Sequence, residues 1–448
     1  MEFKYQSPDP HLYKKLLACY QQCLKNKRHL KKTRFHLHHE FMINQLAIDI
    51  YNNTYSPVKS SVFVVLNPKP REVIASDLRD RIVHHYIYDY MEKYWERRFV
   101  ANSYACRPGK GPLKATIDLR NFIKAHKHGS RGRDLWYLKV DVRSFFSSID
   151  KNILFGLITK HLKNKRMLML CERTLFNNPV RKGGFKITCP KEFWQHVPKH
   201  KSLFFAPPDK GLPIGNLSSQ FWANIYMNVF DQWVARRFKN KILYWQRYVD
   251  DSVFLSEDKN TLAAMPQLID EFLYENLDLR LNTRKTILQP VEKGLDHLGF
   301  FHKRGGVMIR RSAVRRAKQN LKKTVEKCYK TGDSESLCAT LGSYLGHFRS
   351  ADAYRLRQSL VAKVSNDPRW QDIISFDSES RKAKPLNIEN RCERLSKLDL
   401  VMQDEFLRDF EPPPWEAGKP DRALDYLLRW HSLADFMEQA DELCTQMH

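Results

Sequence analysis

Two short apolar runs, Leu243–Val249 and Ser252–Leu255, flank a pair of adjacent carboxylates, Asp250 and Asp251, and leave no residues for a loop. Extended-prone residues on both sides of so brief a polar interruption predict a tight hairpin presenting both carboxylates at its tip. A second hydrophobic stretch, Asp134–Asp141, reads as a strand ending on a carboxylate, followed by Phe145 and Phe146. Elsewhere the period changes to that of a helix. Phe221, Ile225, Val229 and Trp233 recur at spacing four after the glycine- and proline-punctuated stretch 211–220, with Ser218 and Ser219 as candidate caps. Val314, Ala317, Leu321, Val325 and Cys328 form another stripe, and Arg311, Arg315, Lys318 and Lys322 fall on the opposite face. Beyond the stiff Pro412-Pro413-Pro414-Trp415 linker, a last helix is expected with Ala423, Tyr426, Leu427, Trp430, Leu433, Ala434 and Met437 on one side.

Side by side, two anionic carboxylates repel unless a cation sits between them. If the 134–141 strand pairs beside the hairpin, Asp141 supplies a third oxygen ligand across 109 positions of sequence. Three carboxylates around a pair of Mg²⁺ ions form the arrangement that clamps the attacking and leaving oxygens of phosphoryl transfer. For the Asp-Asp dipeptide alone, a solvated turn is the alternative. The loop at 211–224, placed in sequence between the two acidic segments, favours the metal: a loop entering a helix exposes backbone N–H groups and lets the backbone approach a ligand closely.

Composition adds a partner. The chain has 448 residues, 42% of them hydrophobic, enough for two to four domains. Its net charge is +26, unevenly spread: residues 371–448 hold 10 Lys+Arg against 17 Asp+Glu, so the rest carries +33. A strongly basic body with an acidic end indicates nucleic acid as partner for the first and a protein surface for the second. Nine cysteines without a CxxC pair read as reduced thiols. With no apolar run of membrane-spanning length and no signal peptide, a cytoplasmic protein without membrane contact is expected.

The order of these motifs resembles that of a reverse transcriptase. Asp141 matches the first metal-binding aspartate of the palm, the 211–224 loop the nucleotide-positioning motif, and Tyr248-Val249-Asp250-Asp251 the Tyr-x-Asp-Asp box. Leu279-Arg280-Leu281-Asn282-Thr283-Arg284-Lys285-Thr286 resembles the next palm motif, and Leu298-Gly299-Phe300 the primer-grip turn. Lys69-Pro70-Arg71-Glu72, the 76–85 segment and Ser103-Tyr104-Ala105-Cys106-Arg107 resemble the fingers.

The resemblance implies an α+β right-hand polymerase with fingers, an antiparallel palm sheet and a helical thumb, plus a helical C-terminal extension. The expected divisions are an N-terminal helical basic segment at 1–55, with one or two helices, and fingers at 56–130. The palm follows at 131–300, with a helical and looped insertion at 151–210, then a thumb at 301–365 and an acidic helical extension at 366–448. It implies two Mg²⁺ ions, with Mn²⁺ as the alternative, held by Asp141, Asp250, Asp251 and the backbone of Val142. Lys285 is the candidate proton donor to pyrophosphate. Lys69, Arg71, Arg107, Ile214, Gly215 and Gln220 are assigned to the incoming dNTP, with Phe146 as the steric gate against a ribose 2′-hydroxyl. Leu298, Gly299, Phe300, Arg311, Arg315, Lys318 and Lys322 are assigned to nucleic acid.

Within that family the sequence looks most like the bacterial enzymes of diversity-generating retroelements, on Ile214-Gly215-Asn216-Leu217-Ser218-Ser219-Gln220, Ser103–Arg107 and Ser343-Tyr344-Leu345-Gly346-His347-Phe348-Arg349. Retroviral enzymes carry glutamine where Ile214 stands; isoleucine cannot donate that hydrogen bond, so base discrimination should weaken. Related enzymes serve antiphage defence, and both settings stay open. The implied partners are a structured noncoding or template RNA, its cDNA and dNTPs, with an accessory protein or a second polymerase subunit as further candidates. The alternatives are an inactive RNA-binding scaffold and a protein-primed or template-relaxed DNA polymerase.

Overall fold

The computed structural model describes residues 9–25, 34–67, 69–129, 133–180, 183–331, 334–365, 374–377 and 382–385. The expected linker at 412–415 and terminal helix at 423–437 lie outside the described residues, as does most of the basic 25–34 stretch. The chain divides into two compact units. Among the described residues, one is built from those up to Gly111 together with Trp136–Leu288, the other from Pro112–Leu135 and those from Gln289 onward.

The first unit is organised by a mixed helix and sheet core. Strands β1 (Ser60–Val65) and β2 (Arg71–Ala75) pair antiparallel, Val65 opposite Arg71. Strand β3 (Trp136–Asp141) comes next in sequence, then β4 (Phe185–Ile187), which adds to β1 in parallel. Strands β5 (Tyr244–Tyr248) and β6 (Asp251–Ser256) form the expected hairpin, and β6 pairs antiparallel with β3 in the register Asp141 opposite Asp251. With β7 (Ile287–Pro290) the sheet order is β5-β6-β3-β7.

Five of the six β6 residues are buried, as a run covered on both faces should be. One cover is the helix Lys259–Leu277, which starts on the Asp258 cap and buries Leu262, Met265, Ile269 and Leu273. The helix Leu78–Glu96, capped by Asp77, packs with the helix Leu217–Arg237 through the edge-on contact of Tyr88 with Phe221. Sequence expects one apolar stripe on Leu217–Arg237. Instead Trp222, Ala223, Tyr226, Met227, Phe230 and Val234 are buried as well, while Val229 and Trp233 are half-buried, because the helix runs through the core. The N-terminal segment has three described helices rather than one or two: Pro10–Leu24, Arg34–Leu37 and His39–Tyr51.

In the second unit, β8 (Leu295–His297), β9 (Phe300–Lys303) and β10 (Gly306–Ile309) form an antiparallel meander. The helix Pro112–Gly129 belongs with this unit although sequence groups it with residues 56–111; it buries Ala115, Leu119 and Ile123 and contacts β9 and β10. The helix Arg311–Thr331 buries Ala317, Leu321, Val325 and Cys328 and exposes Arg311, Arg315, Lys318 and Lys322, the two faces its spacing predicts. Strands β11 (Ile374–Asp377) and β12 (Lys382–Pro385) pair antiparallel in a segment from which sequence predicts no strands.

One backbone contact carries the loop at 211–216 to β2. The Ile74 N–H donates to the Ile214 carbonyl at 2.8 Å. Gly215 next to it has φ +119°, and a Cβ there would stand 2.9 Å from Val73 Cγ1 and 3.2 Å from the Ile74 oxygen. Only glycine fits without moving the strand. Gly215→Ala is therefore expected to lower stability by about 1–3 kcal/mol, read as a reduced urea midpoint; an unchanged midpoint would show that the loop is not seated on β2.

Candidate active site

Asp141 closes β3, Asp251 opens β6, and the register sets them opposite one another. Asp250 lies in the two-residue loop with Val249, so the hairpin tip holds one of the two carboxylates and the strand holds the other. The Val142 N–H donates to the Asp250 carbonyl at 3.3 Å, which binds the end of β3 to the tip. Three carboxylates that sequence spreads over 110 residues thus converge.

The hairpin is held from beneath by a residue that pattern reading passed over. Arg247 is fully buried and its guanidinium makes a two-point ion pair with the equally buried Asp231, at 2.7 and 2.5 Å. Its remaining donors reach Ser103 Oγ at 3.0 Å and the Val249 carbonyl at 2.8 Å. Val249 has φ +56°, a costly conformation for a β-branched residue. Arg247 fixes the carbonyl of that strained residue, and so aims Asp250.

Electrostatics at the tip are unfavourable without a cation. Burial, then the charges of Asp251 and Asp141, push Asp250 up to about 7. Burial also raises Asp251, which hydrogen-bonds Asp141. Asp141 is 4% exposed and accepts from Lys285 Nζ at 2.7 and 2.6 Å and from Asn282 Nδ2 at 3.3 Å. Lys285, at the end of a short 3₁₀ turn (Thr283–Lys285), remains about half exposed. Among the described residues no three acidic, imidazole or thiol groups stand in a ready-made metal cage. Lys285 holds Asp141 instead.

A buried polar chain fixes the entry to the helix Leu217–Arg237. His84 bonds Ser76 Oγ at 3.1 Å and Ser218 Oγ at 2.7 Å, and Ser76 Oγ donates to Asn216 Oδ1 at 2.9 Å. Burial, with the nearby charges of His85 and Arg81, depresses His84 to about 3, so it is neutral at physiological pH.

A sequence profile of the reverse transcriptase (RNA-dependent DNA polymerase) family matches residues 67–301, more than half of the chain and the span that holds every group just described. The chain belongs to the reverse transcriptase family. Protein YkfC of Escherichia coli is 25% identical over 52% of this chain and 63% of its own length. The group II intron-encoded protein LtrA of Lactococcus lactis is 26% identical over 44% of this chain and 29% of its own. The chain thus spans less than two thirds of the relatives it matches. Among solved structures, a telomerase from Candida tropicalis in complex with a fragment of telomeric RNA shares 11% identity at a TM-score of 0.40, over 73% of this chain and 59% of that one. The fold is α+β, with sheets that are antiparallel apart from the parallel pairing of β4 with β1, consistent with the right-hand fold of the reverse transcriptase family.

Several other positions that sequence assigns to the nucleotide lie on the turn after Asp141 or against β2. Phe145 is buried, whereas Phe146 meets it edge-on and stays partly exposed, with its carbonyl accepting from Leu212. Ile214 and Gly215 lie on β2, whose first residue Arg71 is exposed, as is Lys69. Gln220 accepts from the Cys106 thiol at 3.0 Å.

Two expectations change. Arg107 is not delivered to a nucleotide: its guanidinium is 5% exposed, paired with Glu96 at 2.6 Å, and bonded to the Val100 and Ser103 carbonyls. Phe300 is buried in the second unit's core against His347, so its ring is closed to nucleic acid, while Leu298 and Gly299 form a positive-φ turn. Among the described residues, no helix is long and apolar enough to cross a membrane.

Sequence reading missed Asp231, the buried role of Arg247, and Asn282. The available signal was Asp231 itself, a lone carboxylate amid the apolar residues of a core helix. Removing one partner of a buried ion pair leaves the other charge uncompensated and costs about 3–5 kcal/mol. Asp231→Ala should therefore lower the free energy of unfolding by that order in urea titration. A loss below about 1 kcal/mol, the level of a surface pair, would deny the pair its role.

Proposed function

We propose that the chain is an RNA-directed DNA polymerase, copying an RNA encoded with its own element into cDNA from dNTPs. The observation that carries this is the convergence of Asp141, Asp250 and Asp251 across β3 and β6, within the span of the family match. Their donor set fits hard divalent cations: a buried and two half-buried carboxylate groups, one with its proton affinity raised by desolvation and then by the other two, gain most from a dication. Two Mg²⁺ or Mn²⁺ ions there, with the Val142 carbonyl as a further ligand, would activate the primer 3′-hydroxyl and neutralise the triphosphate.

The chain's own groups do the rest. Lys285 must release Asp141 when cations arrive, and an ammonium freed beside the site is placed to protonate the departing pyrophosphate. The partly exposed Phe146 ring meets the sugar and disfavours a 2′-hydroxyl. Lys69 and Arg71 take the triphosphate. Gly215 and Gln220 seat the nascent pair, and Ile214, with no side-chain donor, makes the copying error-tolerant. Leu298, Gly299 and the exposed face of Arg311, Arg315, Lys318 and Lys322 hold primer and duplex backbone through charge and close approach.

The setting we read for it is a bacterial retroelement or an antiphage defence system, and the group II intron-encoded relative supports the first of these only as a mobile element in general. Residues 56–111 then act as fingers, the β3–β6 region as palm and the helix Arg311–Thr331 as thumb.

Replacing Asp250 and Asp251 together by alanine should abolish Mg²⁺-dependent dNTP incorporation on a primed RNA, by more than about 10³-fold, while RNA binding persists. Wild-type protein that incorporates nothing with its co-purifying RNA would end the polymerase reading.

A pH dependence follows with a definite sign. Because the folded Asp250 carboxyl is raised above its usual value to about 7, folding takes up a proton, and metal-free stability falls as pH climbs from about 4 to 7. Mg²⁺ competes with that proton, so its stabilising effect should be larger at pH 8 than at pH 6, read as the shift in melting temperature. Asp250→Asn should flatten the difference. A Mg²⁺ shift independent of pH in the wild type would contradict the assignment.

A further inference from the structure

The segment just before the 211–216 loop is fastened at the site on three sides. Ser147 Oγ, in the turn of helix Phe145–Ser148 that follows Asp141, donates to the His200 carbonyl at 2.9 Å. Ser202 Oγ donates to Glu72 Oε2 at 2.5 Å, and Leu203 N–H to Glu72 Oε1 at 3.0 Å. Glu72 is 4% exposed and adjoins Arg71 on β2. Leu203 packs over Gly211, where φ is +88° and a Cβ would stand 2.4 Å from Leu203 Cδ2.

Between these anchors lies Lys201, the last residue of a 3₁₀ turn (Lys199–Lys201), with its side chain exposed. Its ammonium is within electrostatic reach of Lys285 and Lys69, which repel it, and of Asp141 and Asp250, which attract it. Partial desolvation, then the two lysines, lower its proton affinity. Among the described residues Lys201 has no ion-pair partner.

Lys201 and Lys69 stand with Lys285, which is already bonded to Asp141, on the rim of the carboxylate cluster, and a polyanion entering there would gain from each of these ammonium groups. Arg107 is committed to Glu96, which leaves Lys69 and Arg71 as the side-chain cations read for the triphosphate and room for a further one. We propose that Lys201 is a further binding residue for the triphosphate of the incoming nucleotide, supplied by the segment between Asp141 and the 211–216 loop. This assignment rests on the polymerase reading above.

Lysine acts on phosphate as a point charge on a flexible stem. Losing it should weaken nucleotide binding in proportion to charge, without regard to the base. The test uses the full chain on a primed template at saturating Mg²⁺. Lys201→Ala should raise the KM for each of the four dNTPs about tenfold with kcat altered less than about twofold, and Lys201→Arg should recover most of the loss. Inorganic tripolyphosphate, used as a competing probe, should lose inhibitory strength in parallel. The side chain is exposed, so an unchanged melting temperature verifies folding.

An active Lys201→Ala enzyme with unchanged KM and unchanged tripolyphosphate inhibition overturns the proposal. So does a variant that needs more Mg²⁺ while its dNTP KM stays put, because the lysine would then serve the carboxylates. If the wild type incorporates no dNTP, the polymerase reading falls and takes this proposal with it. Wild-type activity beside an unaltered variant removes the lysine's role alone.

Discussion

Everything at the acidic cluster depends on a buried guanidinium. Arg247 and Asp231 are both shielded from solvent, where an unpaired ion costs several kcal/mol. The pair is tolerable because its hydrogen-bonding capacity is spent: two bonds join the partners, and others go to Ser103 and the Val249 carbonyl. A methionine or leucine pair of the same volume would avoid the desolvation cost. It would leave the Val249 carbonyl unheld, and a β-branched residue at φ +56° would relax toward an ordinary hairpin conformation. The ion pair thus serves direction more than stability. It keeps a strained turn that sends Asp250 toward Asp141 and Asp251.

That direction has its own cost. Three carboxylates brought together in a poorly solvated place repel, and the fold answers with Lys285 on Asp141 and a shared proton affinity on Asp250. Both are provisional partners. A proton leaves as pH rises, and an ammonium on a half-exposed side chain can swing away. A stronger structural cation, such as an arginine forked onto Asp141 as Arg247 is onto Asp231, would quiet the repulsion permanently and close the site to divalent ions. The contrast between the two ion pairs, one sealed and one exposed, separates the group that supports the site from the group that can take part in it.

The carboxylate constellation was legible because it needed little more than period and order. Alternating apolar runs predict strands, and a two-residue gap predicts a hairpin. Sequence set Asp141 beside Asp250 with both carboxylates at the tip, whereas the register sets it opposite Asp251, because β6 begins one residue earlier than the apolar run does. What sequence could not give was the partner of each cation. Arg107 and Arg247 sit in equally suggestive motifs, yet one forks onto Glu96 and the other onto Asp231. Both acids lie on helices whose packing is fixed by distant apolar contacts, so neither pairing has a local signature. Strand β4 was missed for a related reason: three residues give no readable alternation, and its pairing with β1 is decided by tertiary contact. The helix Leu217–Arg237 showed a single stripe where the core covers nearly all of its first turns, because spacing reports one face and cannot report that a second is also covered.

The segment between Asp141 and the 211–216 loop reads in sequence as a helical and looped insertion at 151–210, and its anchors tie it to β2. Glu72 is a buried carboxyl whose oxygens are met by Ser202 and Leu203, both from that segment. Burial raises its proton affinity, and those two bonds restrain the rise. Remove the segment, and a carboxyl beside Arg71 loses the donors that satisfy it inside the β1–β2 sheet. The same residues that steady Glu72 flank Lys201, which lies within electrostatic reach of Asp141 and Asp250. Strand β2 and the end of β3 are therefore coupled through a connection that pairs with β1 by a strand of its own. A shift of β2 would be felt at Lys201 through Glu72 and at Ile214 through the Ile74 N–H. The cations and the loop at the site move, or stay, with one strand.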